Sequence, residues 1–357
     1  MNSLRLEALE LSTLPSVDLD RLADTSWTFG GIQDDVEAEL PSRAAYMPAM
    51  QLSDGRIAVI EPTRVRYFGV DGRELSRIGQ AGAGPVEFGE LRAGCMTSDT
   101  ILVVHDAKND RLGFVHPERG VVVTIPLLRA RMSSSACLEG GSAIAYRRIT
   151  SREDAARYQV LLVDPMLPEP QEIFTLQGTT RPGMIGAGGA SIGVIGDRIF
   201  AADADVGVIR LYSTAGVLLD SLVWGLPRIA VTDESIRERT AVTMSADSRP
   251  EDVAAFWDRL LTAPRATWWP AFADVRADDI GRFWIELAAE RKSPTRTWVV
   301  TDTLGFMVGM AYTAQGGTSS YHDVVGFADG NVIMLHQDEV GARHLSILGI
   351  TFGNRPQ

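Results

Sequence analysis

At 357 residues, with 45% hydrophobic and 22% charged side chains, the chain has the make-up of an ordinary globular protein. Its formal net charge of −12 argues against the basic stripe that a phosphate backbone requires, so nucleic acid is not an expected partner. No run approaches the ~18–20 apolar residues of a membrane-spanning helix.

The N-terminal stretch MNSLRLEALELSTLP carries acids inside its apolar run and lacks the h-region of a secretory signal. A cytoplasmic protein is expected if Met1 is the native start, and an exported one if a leader has been removed. Residues 1–23 carry no firm assignment. Trp27-Thr28-Phe29-Gly30-Gly31 then resembles Ser76-Arg77-Ile78-Gly79-Gln80, the end of the first complete unit. Residues 24–31 are therefore expected to supply a lone closing strand.

Leu52 to Phe88 contains three short β-type runs, Ile57–Ile60, Val65–Phe68 and Glu74–Ile78, set off by Asp54-Gly55 and Asp71-Gly72. Asp-Gly pairs close tight hairpins because glycine takes positive φ without a Cβ clash. The same pattern recurs, which divides the chain into units at 44–90, 91–133, 134–178 and 190–231. Within the second unit Ile101–Val104 and Arg111–Val115 are strand-like; in the third, Ala143–Tyr146, Tyr158–Val163 and Glu172–Leu176; in the fourth, Arg198–Ala202, Val208–Tyr212 and Val217–Val223.

The pattern breaks between turn markers Asp197 and Gly281, 84 residues apart, and an insert at 232–264 fills the gap. Thr232-Asp233-Glu234 is a helix start, and Pro250-Glu251-Asp252 opens a second helix. In that second helix Val253, Phe256, Trp257 and Leu260 share a face at 3.6 spacing, expected to pack as a cover. Strands resume in units at 265–316 and 320–352. The last unit lacks a fourth strand and the first is preceded by a spare one. Pairing the two closes a ring with no sheet edge at the join. The expected fold is all-β, a six-bladed β-propeller closed by an N-terminal strand, with a helical insert after blade four.

DGRIAV, YFGVDG and IGQAGAGPVEF, followed by His105-Asp106-Ala107-Lys108-Asn109-Asp110-Arg111, carry a family resemblance. The segment 52–115 is similar to NHL-type six-bladed propellers of bacteria, with their GxGPxEF and D-x-x-N-x-R elements. Val86 departs from the glycine common in that loop. The resemblance implies a ligand-binding or protein-interaction propeller, often exported, and names no catalytic residue.

Aligning the second strands by their turns puts Glu61, His105, Arg147, Asp203, Glu286 and His336 at one level. The fourth-to-first-strand connections share that face, so the insert is expected there too. A polar ring at a channel mouth suits a small molecule, peptide, glycan or protein. His105, His336 and Glu61, from consecutive blades, form the sharper expectation: zinc or calcium with a bound water, in a metal-dependent hydrolase or lyase. No HExxH or CxxC spacing supports it. Four asparagines, Asn2, Asn109, Asn331 and Asn354, fit poorly with the calcium sites of propeller lactonases. His344 is expected to face His336 across a hairpin.

An alternative site is aromatic: Trp257, Trp268, Trp269 and Trp284, around the insert and the start of blade five. Gly189-Ala190-Ser191-Ile192-Gly193 fits G-x-S-x-G, but the residues after Ser191 are strand-like, whereas that motif needs a helix. Gly79, Gly82 and Gly84 read as a flexible connection between blades, not as a phosphate loop. Cys95 and Cys137 fall on inner strands of adjacent blades and are expected to be buried free thiols.

Overall fold

The computed structural model describes residues 3–6, 14–23, 27–30, 48–98, 100–127, 132–138, 140–149, 155–167, 169–178, 184–225, 228–240, 249–288, 295–314, 322–337 and 343–352. Parts of two expected segments, residues 24–26 and 31 of the closing strand and 241–248 of the insert, lie outside them, as does the turn marker Asp99.

The N-terminal segment supplies β1 (Ser3–Leu6), β2 (Ser16–Asp18), the short helix α1 (Leu19–Ala23) and β3 (Trp27–Gly30). Blade 1 follows as β4 (Ala49–Gln51), β5 (Ile57–Glu61), β6 (Arg64–Phe68) and β7 (Glu74–Ile78). Blade 2 is β8 (Leu91–Ser98), β9 (Ile101–Asp106), β10 (Arg111–His116) and β11 (Gly120–Pro126). Blade 3 is β12 (Met132–Cys137), β13 (Ala143–Arg148), β14 (Arg157–Val163) and β15 (Gln171–Gln177). Blade 4 is β16 (Ala190–Ile195), β17 (Arg198–Asp203), β18 (Val208–Tyr212) and β19 (Leu218–Trp224). Two helices intervene, α2 (Asp233–Thr240) and α3 (Pro250–Thr262). Blade 5 is β20 (Phe272–Ala277), β21 (Arg282–Leu287), β22 (Thr295–Asp302) and β23 (Met307–Ala314); blade 6 has β24 (His322–Ala328), β25 (Asn331–Gln337) and β26 (Arg343–Leu348).

Each blade is an antiparallel meander. The turns form as their sequences dictate: Gly55 and Gly72, at φ 87° and 79°, occupy the left-handed region that only glycine enters freely. Separate apolar clusters fill the joints between blades 1 and 2, 2 and 3, 3 and 4, 4 and 5, 5 and 6, and 6 and 1. Six joints for six blades close the ring. β3 pairs antiparallel with β26, from Gly30 against His344 to Trp27 against Ile347, and completes blade 6. At the inner side of the same join, a Cβ on Gly326 would lie 1.9 Å from the Ala49 carbonyl oxygen, so β24 and β4 approach as closely as backbone permits.

The described residues among the first 23, unassigned from sequence, line the outer edges of the blades. β1 adds a parallel fifth strand to β19 of blade 4, and β2 adds one to β23 of blade 5. α1 then buries Leu19 and Ala23 in the joint between blades 5 and 6. Asp18 Oδ1 accepts from the backbone N–H groups of Asp20 and Arg21 at 3.1 Å each, which starts that helix.

The fourth strands of blades 1 to 5 all carry a bulge after their first residues, skipping Leu75, Val122, Ile173, Leu219 and Val308. A bulge twists an outer edge away from flat pairing, which is how propellers keep such edges from joining neighbours.

Two sequence expectations change. Cys95 and Cys137 do lie on the inner strands of adjacent blades, but as a disulfide, with Cα atoms 5.5 Å apart. The ring geometry supplies what a repeat alignment alone did not, a short distance across the joint. The loop holding Gly79, Gly82 and Gly84 is fastened rather than flexible. Asp106 Oδ1 accepts from Gly89 N and Glu90 N at 3.0 and 3.1 Å, Asn109 Nδ2 donates to Gly82 O at 2.9 Å, and Arg111 Nη2 donates to Gly84 O at 2.8 Å.

Candidate functional site

The six first strands surround a channel of about 650 Å³. Each of these strands is hydrogen-bonded within its blade on one side only, so its other edge faces the opening. Met50, Met96, Ile192, Val194 and Phe327 supply apolar wall. Polar groups there tie one blade to the next. Ser191 on β16 donates to Asp274 Oδ1 on β20 at 2.7 Å and accepts from Val275 N at 3.2 Å. Arg276 Nε donates to Asp274 Oδ2 at 2.9 Å, its Nη1 donates to Val324 O in blade 6, and its guanidinium lies 5.3 Å from the Trp298 ring centre. Tyr146 also lines the channel. Burial pushes its hydroxyl above the usual phenol range, and the Asp274 charge adds to the rise.

The Asp274–Arg276 pair stands at the end of the channel where the second strands finish, since Asp274 pairs with Glu286 at the end of β21. Behind it Arg296 bridges Asp323 at 2.6 Å and Glu286 at 3.5 Å. Burial raises the Glu286 carboxyl above its ordinary value, and the neighbouring arginines counter the rise.

Glu61 and Asp203 are the last residues of their second strands, and His105, Arg147, Glu286 and His336 are the last but one of theirs. They are not among the channel-lining residues. A second strand stands one strand, about 4.8 Å, behind the channel wall, and although Tyr146 and Phe200 reach the channel from such strands, these six do not. All of them but His105 are engaged locally by a hydrogen bond or an ion pair. Glu61 is buried between Arg64 and Arg66, at 2.6 and 3.0 Å. Arg147 donates to Gln159, which in turn donates to Glu172. Asp203 accepts from Asp205 N and Val206 N at 3.0 and 3.4 Å, and burial with the Asp205 charge raises its carboxyl. His336 Nε2 lies 3.1 Å from Ser346 Oγ, and its ring sits 5.1 Å from that of His344, its partner across the hairpin. His105 is buried, and its Nδ1 lacks a hydrogen-bond partner among the described residues. Burial pulls its imidazole below the usual histidine range.

The structure therefore does not bring these six into one cluster. Among the described residues no three His, Cys, Asp or Glu side chains are gathered as a metal ion would need. Of the six, Glu286 comes nearest the Asp274–Arg276 pair. Ser191, drawn out by the G-x-S-x-G pattern, sits on a strand as expected, with its hydroxyl committed to Asp274.

The insert rises on the same face. Its two legs run side by side, with Trp269 N donating to Ile229 O at 2.8 Å, and Ala271 N donates to Ala204 O just beyond β17. Thr232 and Ser235 cap α2 reciprocally, Ser235 N to Thr232 Oγ1 at 3.1 Å and Thr232 N to Ser235 Oγ at 2.9 Å. Val253, Phe256, Trp257 and Leu260 form the expected stripe on α3, yet no α3 residue is fully buried. The cover is thus half-solvated, not a second core. The four tryptophans divide. Trp269 Nε1 donates to Ser235 Oγ at 3.0 Å and Trp268 is exposed, while Trp257 lies on α3. Trp284 belongs to the core between blades 5 and 6, where its Nε1 donates to Asp278 Oδ2 at 2.9 Å.

No family model matches this chain. No curated protein matches it either. Solved structures do. A Bacteroides fragilis protein provisionally described as exported superposes with a TM-score of 0.56 at 12% identity, covering 98% of this chain and 99% of its own. A member of the DUF4221 family from Bacteroides vulgatus gives 0.53 at 8% identity, with 92% and 97% covered. At such identities the likeness is one of fold: a six-bladed propeller spanning nearly the whole of both chains.

The channel residues Ser191, Asp274 and Arg276 were missed as a group. Asp274 and Arg276 have the i, i+2 spacing that places both on one face of a first strand, and this is the signal that could have found them.

Proposed function

We propose that the protein is a noncatalytic binding propeller of the NHL-like kind, which takes a small organic ligand into its central channel. The observation that carries this reading is the channel, whose volume of about 650 Å³ falls within the range of small-molecule sites. Apolar walls with the Asp274–Arg276 pair and the Tyr146 hydroxyl toward one end provide both burial and orientation. Binding is favoured over catalysis because Ser191 donates directly to a carboxylate, with no imidazole between them to act as base. The NHL-like reading is supported by Asp106, Asn109 and Arg111, which clamp the loop between blades 1 and 2.

The reading extends to location. A disulfide formed from the only two cysteines of the chain suits an oxidising compartment, so the protein works outside the cytoplasm.

A thermal-shift panel of amino acids, nucleotides, sugars and fatty acids tests the binding. One class is expected to raise the melting temperature of the wild type and not of a channel-filled Val194→Trp variant. Equal shifts in both, or none in either, would overturn the channel site. Stoichiometric zinc or calcium by elemental analysis, with hydrolytic turnover, would replace it with the metal-dependent hydrolase.

A further inference from the structure

The Cys95–Cys137 bond occupies an unusual place. It joins β8 and β12, which belong to different sheets and share no ladder, across the joint between blades 2 and 3. Elsewhere around the channel that task falls to hydrogen bonds, Ser191 with Asp274 between blades 4 and 5 and Arg276 with Val324 between blades 5 and 6. Both cysteines line the channel and both are half-buried, with Met96, Thr97 and Ala136 beside them. Behind them lies the apolar cluster of Val103, Leu112 and Ala143. Both cysteines thus stand between the joint core and the channel.

We propose that Cys95–Cys137 is a thiol–disulfide exchange site for small thiols and small disulfides that enter the channel, and that protein reductases are shut out by the channel's width. In the reducing direction a thiolate RS⁻ attacks one Sγ. The S–S bond breaks, a mixed disulfide forms on that cysteine, and the other leaves as a thiolate and takes up a proton. A second RS⁻ attacks the R-bearing sulfur, forming RSSR and releasing the first cysteine. Two electrons pass from two thiols to the bond. A small disulfide such as oxidised glutathione runs the sequence backwards.

The ring does not need the bond to stay assembled. Six joint cores and the β3 closure hold it, and the freed thiols remain against Val103 and Ala143 as small apolar groups. The folded ring can thus be reduced among cellular thiols and acquire its clasp after reaching an oxidising compartment. The clasp in turn sets how firmly the blade 2–3 side of the channel is held. This proposal stands apart from the identity of any channel ligand.

The test uses the folded full-length chain. Reduced glutathione is added, free cysteines are alkylated, and mass spectrometry counts the labels on Cys95 and Cys137 over time. The unfolding rate is measured alongside by pulse proteolysis. Labelling is expected to rise in proportion to glutathione and to outrun unfolding by roughly tenfold or more, with an unchanged circular dichroism spectrum. Thioredoxin with its reductase is expected to add less than about twofold at matched thiol concentration. Narrowing the channel beside the bond, by Ala136→Phe or Met96→Phe, should slow glutathione by about tenfold while leaving the thioredoxin rate unchanged. The proposal is overturned if labelling plateaus at the unfolding rate, if thioredoxin outpaces glutathione, if the reduced chain loses its native spectrum, or if both narrowed variants react as the wild type does.

Discussion

Removing the Asp106 carboxylate is expected to loosen the joint between blades 1 and 2 more than any surface change could. Asp106 is fully buried at the end of β9. Its Oδ1 accepts from Gly89 N, Glu90 N and Asn109 N at 3.0, 3.1 and 3.4 Å, and its Oδ2 from Asn109 Nδ2 and Arg111 Nε at 2.7 and 3.2 Å. Asp106→Ala strands the three amides and takes the counter-charge from Arg111, whose side chain is 12% exposed and keeps only backbone carbonyls as acceptors. A buried donor left without an acceptor costs ~1–3 kcal/mol, but these share one site and water will reach some of them. Breaking one side of a buried ion pair costs ~3–5 kcal/mol, and that is the expected loss here. Asp106→Asn keeps an acceptor for the Gly89 and Glu90 amides while placing an NH₂ group against Asn109 and Arg111, so about half the loss is expected. Urea unfolding measures both. A double-mutant cycle with Arg111→Met should return a coupling of ~1–3 kcal/mol, and proteolysis within residues 79–90 should quicken in Asp106→Ala. A loss below ~1 kcal/mol with no coupling would refute the clamp.

Gly326→Ala forces a Cβ toward the Ala49 carbonyl at the 6–1 join and is expected to cost at least ~1–3 kcal/mol, whereas Gly189→Ala, with nothing within 4 Å of its Cβ, should be near neutral; equal melting temperatures would refute the close approach. Trp257→Ala on the half-buried face of α3 is expected to cost only ~1–2 kcal/mol in urea, and a loss of ~3–5 would show a fully packed cover. His105 has its imidazole pulled down by burial, so the folded state binds its proton less readily than the unfolded chain. Its contribution is complete above the unfolded value near 6.5 and is lost as pH falls from there through the lowered folded value. Wild type should therefore lose stability faster than His105→Leu between about pH 7 and 5, by up to ~1.4 kcal/mol per pH unit, and parallel curves would sink the assignment. Glu286 and Asp203, raised by burial, act with the opposite sign, their contribution present below the unfolded carboxylate values and lost as pH rises through the raised ones. They cancel in that comparison because both proteins keep them.

What the sequence by itself determined is local or periodic. Asp54-Gly55 and Asp71-Gly72 specify their turns, because only glycine takes φ near 80° without strain. A unit short of one strand at the end, and a spare strand at the start, determine the closure of blade 6 by β3. The D-x-x-N-x-R element was legible too, although its work as a clamp on the preceding loop was not. What only the tertiary structure decided depends on distances across joints. Cys95 and Cys137 stand 42 residues apart on separate sheets, and nothing in either neighbourhood says that the ring brings them into bonding range. Ser191 meets Asp274 across 83 residues for the same reason. β1 and β2 are too short to show an alternating pattern, and they become strands because β19 and β23 offer them open edges. Glu61, His105 and His336 were read from their turns as near the ends of their strands, but height along a strand is not direction. Strand periodicity gives the height of a side chain in a blade, while the packing of adjacent blades decides whether it meets the channel or a neighbouring arginine.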